Sequence, residues 1–150
     1  MKLIAETAWH HEGNFSFMKN LVSEIIDKTN ADIIKMHITL DFDEYMDPRH
    51  ELYEKLKSML FSKDQWLELI SMVKDSDKDL MLIPNDSSAI EFASHYKPEF
   101  IELHSVWLNV PNLQNEILDN FDPKTQIVIG VGGCTLNEVE MATEIFEKWK

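Results

Sequence analysis

Short apolar segments alternate with longer amphipathic segments along the whole chain. The apolar segments are rich in branched and aromatic residues and are bounded by polar residues or by Pro84, which is typical of buried strands. They predict five β-strands: Lys2–Thr7, Ala31–His37, Asp79–Ile83, Phe100–Ser105 and Gln126–Ile129. Strands that alternate with helices in this way indicate an α/β fold, with a parallel sheet covered by helices.

The amphipathic segments predict the helices between these strands. The first helix runs from about Asn14 to Lys28, and its apolar face is formed by Phe17, Met18, Leu21, Val22 and Ile25. Asp47-Pro48 predicts the start of the next helix, because Asp caps helices and Pro is favoured in their first turn. The apolar residues of this second helix are Leu52, Leu56, Met59 and Leu60.

Two capping boxes mark the starts of later helices. Ser62–Gln65 begins a helix whose buried side is formed by Trp66, Leu67, Ile70 and Val73. Thr135–Glu138 begins the last helix, which carries Leu136, Val139, Ala142, Ile145 and Trp149. Between them, Asp86 or Ser87 caps a helix with Ile90 and Ala93, and a further helix carries Leu113, Ile117 and Leu118.

Two architectures fit five βα units in a single domain of residues 1–150. One is a partial (β/α)₈ TIM barrel, and the alternative is an open doubly wound sheet. A complete barrel needs about 200 residues or more, so this chain would form only part of one.

The composition of the chain excludes some classes of binding partner and indicates a cellular location. The chain has 27 acidic and 14 basic residues, a net charge of -13, which excludes nucleic acid and anionic membrane surfaces as partners. The single cysteine, Cys134, permits no internal disulfide, and the N-terminus turns polar too early for a signal peptide. No apolar run is long enough to span a bilayer. We therefore expect a cytoplasmic protein.

Charged side chains fall at the carboxyl ends of the predicted strands, where ligands of parallel sheets bind. Because side chains alternate along a strand, Lys35 and His37 point the same way, and so do Glu102 and His104. Strands two and four of a barrel would bring these four residues together. Glu6 ends the first strand, and its pairing with Lys35 would be either functional or a buried ion pair.

A glycine-rich turn follows the fifth strand. Residues 130–133 contain three of the four glycines, and Thr135 then caps a helix. This turn would expose backbone N–H groups to an anion, or it would be a plain tight turn between strand and helix. It is neither a dinucleotide fingerprint nor a P-loop. Cys134 has no general base beside it, so we do not expect it to be a nucleophile.

Several of these segments, taken in order, resemble the N-terminal part of the sialic acid synthase family. The matching segments are IAE ending at Glu6, HHEG at His10–Gly13, KMH at Lys35–His37, Leu60–Leu69 with Ser62 and Trp66, Pro84-Asn85-Asp86, Ser105 with Asn109-Val110-Pro111, and Gly132–Glu138. The resemblance covers nearly the whole chain.

The resemblance implies an activity and a site. The family condenses phosphoenolpyruvate with an N-acetylated sugar such as N-acetylmannosamine to give a nonulosonic acid, using a divalent metal (Mn or Mg) on a (β/α)₈ barrel. By this resemblance Glu6 is the catalytic residue, and the substrate-binding residues are Lys35, Ser105, Asn109, Gly130 and Gly132. The other residues expected at the rim are His11, His37, Glu102 and His104. The histidines that hold the family's metal would lie beyond Lys150, so we assign no metal ligand to this chain.

The chain departs from the family pattern at several ligand positions. Ile83, Glu102, Trp107 and Gly130 replace the family's threonine, lysine, acid and serine, and Asn109 comes one place early. Exchanging a lysine for Glu102 disfavours an anion, and Trp107 would fill the space that the acid leaves open. We therefore expect weak binding of phosphoenolpyruvate and a protein that is incomplete or inactive alone.

The alternative is a non-catalytic binding or interaction domain that retains the barrel fold. Such a domain would bind a partner or a small acid. The small-molecule partners that we expect for the chain are a sugar or phosphoenolpyruvate. A partial barrel also leaves its first and last strands as unpaired apolar edges. We therefore expect a homodimer or a complementary half-barrel chain that covers them.

Overall fold

Five parallel strands form one sheet in the order of the chain. The computed structural model describes residues 1–147, so Trp149 of the predicted last helix lies outside the described residues. The strands are β1 (Ile4–Glu6), β2 (Ile33–Ile38), β3 (Asp79–Pro84), β4 (Phe100–Leu103) and β5 (Gln126–Ile129), in the order β1-β2-β3-β4-β5. A doubly wound sheet reverses its strand order at a switch point. This sheet does not, so the barrel-type prediction is confirmed and the alternative is wrong.

The helices connect successive strands. They are α1 (Phe15–Lys28), α2 (Phe42–Tyr45), α3 (Tyr53–Lys57), α4 (Lys63–Lys74), α5 (Ser87–Ser94), the 3₁₀ helix η1 (Ser105–Trp107), α6 (Pro111–Asn120) and α7 (Leu136–Glu147). Local sequence sets their starts, since the side chains of Asn14, Ser62 and Asp86 cap α1, α4 and α5. Both predicted capping boxes are present, at Ser62–Gln65 and at Thr135–Glu138.

The two faces of the sheet differ in what they contact. The face that packs against the helices forms the main core, and its fully buried residues include Ile34, Met36, Leu80, Leu82 and Ile101. The opposite, inner face carries a second, smaller cluster of Ile33, Met81 and Phe100. Lys35 and Glu102 alternate with helix-facing neighbours, so they lie on the inner face.

The helix predicted to open at Asp47-Pro48 is wrong. The Asp47 carboxylate accepts hydrogen bonds from the Arg49 backbone N–H at 2.9 Å and from the Arg49 guanidinium at 2.6 Å. These bonds close a turn instead of a helix, and α3 begins only at Tyr53. The predicted strand four is also too long, because Ser105 begins η1.

Four of the apolar residues assigned to the predicted helices are exposed, including Leu52 at 44% and Leu136 at 82%. Leu67 of α4 is 41% exposed and Phe17 of α1 is 46% exposed. Their neighbours Trp66 and Met18 are buried, at 2% and 0%. The helices therefore turn a narrower stripe toward the sheet than the spacing of apolar residues suggests.

Strands β1 and β5 each have one hydrogen-bonded neighbour within residues 1–147, which confirms the predicted open edges. At the first edge, Leu3 and Ile4 are 58% and 43% exposed. At the last edge, a groove of about 420 Å³ runs between β5 and α7, with Ile127, Ile129 and Phe146 in its wall. No helix within the described residues is long and apolar enough to cross a membrane.

Candidate functional site

A cluster of charged residues lies at the carboxyl edge of the sheet, on its inner face. Glu6 at the end of β1 is in register with Lys35 of β2, and Glu102 lies on β4. Ser105 follows two residues after the end of β4, so it belongs to the same edge. The sequence prediction that Glu6, Lys35 and Ser105 share one rim is confirmed; their roles in catalysis and binding stay predictions. We call this cluster, with His37 and His104, the mouth.

The Lys35 ammonium lies between two carboxylates. Its Nζ donates to Glu6 Oε2 at 2.6 Å and to Glu102 Oε2 at 2.9 Å. The side chains of Lys35 and Glu102 are 12% and 14% exposed, whereas Glu6 is 41% exposed. With both carboxylates ionised, the group carries a net negative charge. Lys35 is therefore an internal cation with its own counter-ions.

These contacts change the pKa values of both partners. Burial alone raises the pKa of Glu6, but hydrogen bonds from Lys35 and His37 outweigh it and the pKa lies below its ordinary value. Burial alone lowers the pKa of Lys35, but hydrogen bonds to Glu6 and Glu102 outweigh it and the pKa is raised. Both groups are therefore charged at neutral pH.

Two histidines border the ion pairs. His37 Nε2 lies 3.0 Å from Glu6 Oε1, and the ring of His37 lies 5.9 Å from the ring of His104 in an edge-on arrangement. Burial lowers the pKa of His37, and the Glu6 carboxylate offsets this effect only in part. The prediction that strands two and four bring Lys35, His37, Glu102 and His104 together is confirmed.

The glycine turn packs directly against the end of β4. A Cβ at Gly130 would lie 2.9 Å from the Ser105 backbone nitrogen and 3.1 Å from the Leu103 oxygen. A Cβ at Gly132 would meet the Ser105 hydroxyl oxygen at 3.5 Å. Gly130 is therefore required for a close backbone approach, which places Ser105, Gly130 and Gly132 beside Glu102.

A carboxylate of the chain itself occupies the anion position at the start of α7. Glu138 accepts hydrogen bonds from the Thr135 backbone N–H at 2.7 Å and from its hydroxyl at 2.8 Å. Asn109 Nδ2 also donates to Glu138, at 2.8 Å, so this side chain is engaged away from Lys35. These bonds favour the interpretation of residues 130–135 as a tight turn ending in a capping box.

Aromatic residues from the segments that follow β1, β2 and β4 lie beside the mouth. The Trp9 and Tyr45 rings stack at 6.4 Å, and Tyr45 meets Trp107 at 6.3 Å. Trp107 belongs to η1, which follows His104, and is half-buried. Sequence reasoning missed Trp9 and Tyr45. The available signal was that each falls in a segment that follows a strand at the carboxyl edge.

His11 does not join the ion pairs. It is 4% exposed, its ring lies 4.3 Å from Phe61, and its Nδ1 accepts from the Gly13 backbone N–H at 3.0 Å. Burial lowers the pKa of His11, so the ring is neutral at pH 7. His11 thus packs behind the mouth, not at its surface.

The described residues do not fit a divalent metal. Within residues 1–147, no group of three or more His, Cys, Asp or Glu side chains is arranged to hold an ion. Glu6 and His37 bind each other, and Glu6 also binds Lys35. We assign no metal-dependent step to these residues.

The fold and this edge together define a barrel-type α/β domain with a charged mouth. No family model matches the chain, and no curated protein matches it. Solved structures do match. One is N-acetylneuraminic acid (sialic acid) synthetase from Leptospira borgpetersenii in complex with citrate, with a TM-score of 0.86 and 20% identity over 98% of this chain.

Two further structures share the fold. The putative spore coat polysaccharide biosynthesis protein E of Chromobacterium violaceum matches with a TM-score of 0.82 and 15% identity over 98% of this chain. The spore coat polysaccharide biosynthesis protein spsE of Bacillus subtilis matches with a TM-score of 0.75 and 16% identity over 99%. The chain spans 50%, 46% and 40% of the lengths of these three proteins. It therefore has the fold of about half of such a protein.

Proposed function

We propose that this chain is a sialic-acid-synthase-like barrel portion that acts as a binding or interaction domain and does not by itself condense phosphoenolpyruvate with a sugar. One observation carries the proposal: Lys35 Nζ is bound by both Glu6 and Glu102, at 2.6 and 2.9 Å. The lysine that an anionic substrate would need already has two anionic partners.

Charge and burial make displacement of these partners costly. An incoming carboxylate or phosphate would have to replace Glu102 while Glu6 stays close, and like charges at this range repel. The Glu102 side chain is only 14% exposed, so an incoming anion would compete with a largely buried carboxylate. Phosphoenolpyruvate is therefore a poor ligand, and a neutral polyhydroxylated sugar meets no such penalty.

A second candidate function is catalysis by a completed barrel. It is supported by the fold match over 98% of the chain and by the shared rim of Glu6, Lys35 and Ser105. The Leptospira protein was crystallised in complex with citrate, which is a small organic acid. In this function Glu6, Lys35 and Ser105 would contribute to a site where the C3 carbon of phosphoenolpyruvate attacks the sugar aldehyde.

The open edges support a protein partner. Either a second copy of the chain or a complementary polypeptide would pair with β1 and β5 and cover the groove beside α7. The second candidate function requires strands beyond the five of residues 1–147, because five strands do not close a barrel of eight.

Titration calorimetry with phosphoenolpyruvate tests the proposal. We expect no binding in the sub-millimolar range for the wild-type chain. Glu102→Lys should bind at least about tenfold more tightly, because it exchanges a repulsive charge for an attractive one beside Lys35. Glu91→Lys is the matched control: it makes the same charge change on the exposed surface of α5 and should bind no better than wild type.

Sub-millimolar binding of phosphoenolpyruvate to the wild-type chain would refute the proposal. An assay with phosphoenolpyruvate, N-acetylmannosamine and Mn²⁺ or Mg²⁺ separates the two candidates. Phosphate release and formation of a nonulosonic acid would establish catalysis, whereas their absence with the wild-type chain agrees with a binding domain.

A further inference from the structure

A small cavity lined by both apolar and polar residues lies beside His37, behind the mouth. It has a volume of about 10 Å³ accessible to a water-sized probe, and its walls include His37, Thr39 and Trp66. His11 and Met59 also line it. A volume of about 10–15 Å³ on this measure holds one water molecule if two to four polar groups surround it. The cavity lies at the lower limit of this range, so the polar groups in its walls determine whether a water molecule binds there.

Trp66 supplies an unused donor. The residue is 2% exposed, and its indole Nε1–H has no acceptor among the described residues. An unpaired buried N–H costs free energy comparable to its full desolvation, so native structures seldom leave one. The cavity that Trp66 lines is a place where an acceptor can lie.

His37 and Thr39 supply the complementary groups. His37 Nε2 lies 3.0 Å from the Glu6 carboxylate, which can only accept, so Nε2 carries the proton and Nδ1 of the neutral ring is an acceptor. Thr39 Oγ1 accepts from Asn85 Nδ2 at 3.0 Å, and its own hydroxyl proton remains available. Three residues that line the cavity, Trp66, Thr39 and His37, thus carry two donors and one acceptor without another partner within residues 1–147.

We propose that this cavity binds a single water molecule, which accepts from Trp66 Nε1 and Thr39 Oγ1 and donates to His37 Nδ1. Two donors use both lone pairs of the water, so it cannot also accept a hydrogen bond from a protonated Nδ1. The water therefore favours the neutral ring with Nε2–H toward Glu6. Trp66 and Thr39 become positioning residues for the mouth, whichever ligand the mouth takes.

The charged and titratable groups around His37 come from several elements. Glu6 on β1 favours the protonated ring, whereas Lys35 on β2 and His104 after β4 disfavour it. Glu102 on β4 binds Lys35, and His11 lines the same cavity. Replacing Trp66 or Thr39 removes none of these charged and titratable groups. A change in the titration midpoint of His37 in such a variant is therefore attributed to the water molecule.

NMR titration of His37 in Trp66→Phe and in Thr39→Val tests the proposal. Each substitution removes one donor and frees a lone pair of the water for Nδ1–H, so the titration midpoint of His37 should move upward in both variants. Met59→Leu, a volume-conserving change in the same wall, removes no donor and should leave the midpoint where it is in wild type. Unchanged midpoints in both donor variants would overturn the proposal.

The wild-type protein gives an independent test, should the variants fail to fold. Magnetisation transfer from bound water to the Trp66 indole proton should be seen, together with the Nε2–H tautomer in the ¹⁵N shifts of His37. A dry cavity in a crystal structure at about 1.5 Å resolution would refute the water site, because a water with three partners is well ordered.

Discussion

At the scale of single residues, Glu102 decides the chemistry of the mouth. Lys35 alone on the inner face of the sheet would be a partly buried cation open to any small anion. With Glu102 at 2.9 Å and Glu6 at 2.6 Å, it becomes the centre of a group with net negative charge. In the proposed function, Glu102 therefore makes this position repel anions that Lys35 alone would attract.

Two buried histidines make stability depend on pH. Burial lowers the pKa of His11 and of His37, so the unfolded chain binds more protons than the folded chain just below the unfolded pKa of about 6.5. The stabilisation that the two neutral histidines contribute is fully present above that pH. It is lost as the pH falls toward their pKa values in the folded protein. Urea unfolding at pH 7.5, 6.5 and 5.5 should show the free energy of unfolding decreasing in that order.

The matched variants are His37→Gln and His95→Gln. The first removes a depressed pKa and should flatten the decrease in the free energy of unfolding between pH 6.5 and 5.5. The second replaces an exposed histidine at the end of α5 and should leave the decrease as in wild type. Burial raises the pKa of Asp86, which acts with the opposite sign in the lower, carboxyl range. A free energy that stays constant across the histidine range would contradict the prediction.

Alternation along strands made part of this site predictable. It predicted that Lys35 and Glu102 lie on one face, and their hydrogen bond shows that they do. It could not predict that Trp9 and Tyr45 stack, because such contacts depend on loop paths that no local pattern encodes. The prediction for Leu67 was wrong for a related reason: helical spacing does not give the width of the contact that the helix makes with the sheet.

At the scale of elements, capping residues were the most informative local signal. Ser62 accepts from the Gln65 backbone N–H, and the Gln65 side chain accepts in return from the Ser62 backbone N–H. Because both bonds are formed within four consecutive residues, their presence does not depend on the rest of the fold. The second box, at Thr135–Glu138, follows the same logic and was also predicted.

Removal of the first cap gives a direct test. Ser62→Ala leaves an N–H at the start of α4 without its acceptor, and we expect a loss of about 1 kcal/mol in the free energy of unfolding. Ser71→Ala is the control in the same helix; it changes an exposed residue and should alter stability by less than about 0.5 kcal/mol. Equal losses in the free energy of unfolding from the two substitutions would show that the capping hydrogen bond does not stabilise the protein.

Asp47 shows why a capping signal can fail. An Asp before a Pro fits a helix start, but the carboxylate of Asp47 also reaches the Arg49 backbone and guanidinium. The charged partner closes a turn, and the helix then begins at Tyr53. The sequence offers both outcomes, and only the three-dimensional course of residues 47–52 selects one.

At the scale of the whole molecule, the strand order explains both the mouth and the open edges. Sequential parallel strands place every carboxyl end at one rim, and they leave β1 and β5 without a second neighbour in the described chain. The alternation of strands and helices predicted this class of fold. It did not by itself distinguish a barrel from a doubly wound sheet, because that choice depends on which face each helix covers.

The open edges predict association. Light scattering after gel filtration should give a mass at least about twice that of the 17.5 kDa chain at high concentration, because exposed apolar edges pair. Leu3→Glu places a charge beside β1 and should shift the mass toward a monomer. Leu67→Glu places the same charge on an exposed position of α4 and should not. A stable wild-type monomer at high concentration would argue against pairing of the edges in the isolated chain.

The tight approach at Gly130 has a consequence for any attempt to restore the family's residues. The resembling family has a serine there, but a Cβ at this position would meet the Ser105 nitrogen at 2.9 Å and the Leu103 oxygen at 3.1 Å. Both obstacles are backbone atoms, so a reversion of Gly130 alone would separate β5 from the turn after β4. The substitutions at this rim are thus epistatic: the family's side chain becomes acceptable only after the neighbouring turn is rebuilt, and residues grafted one at a time would fail where a grafted set could succeed.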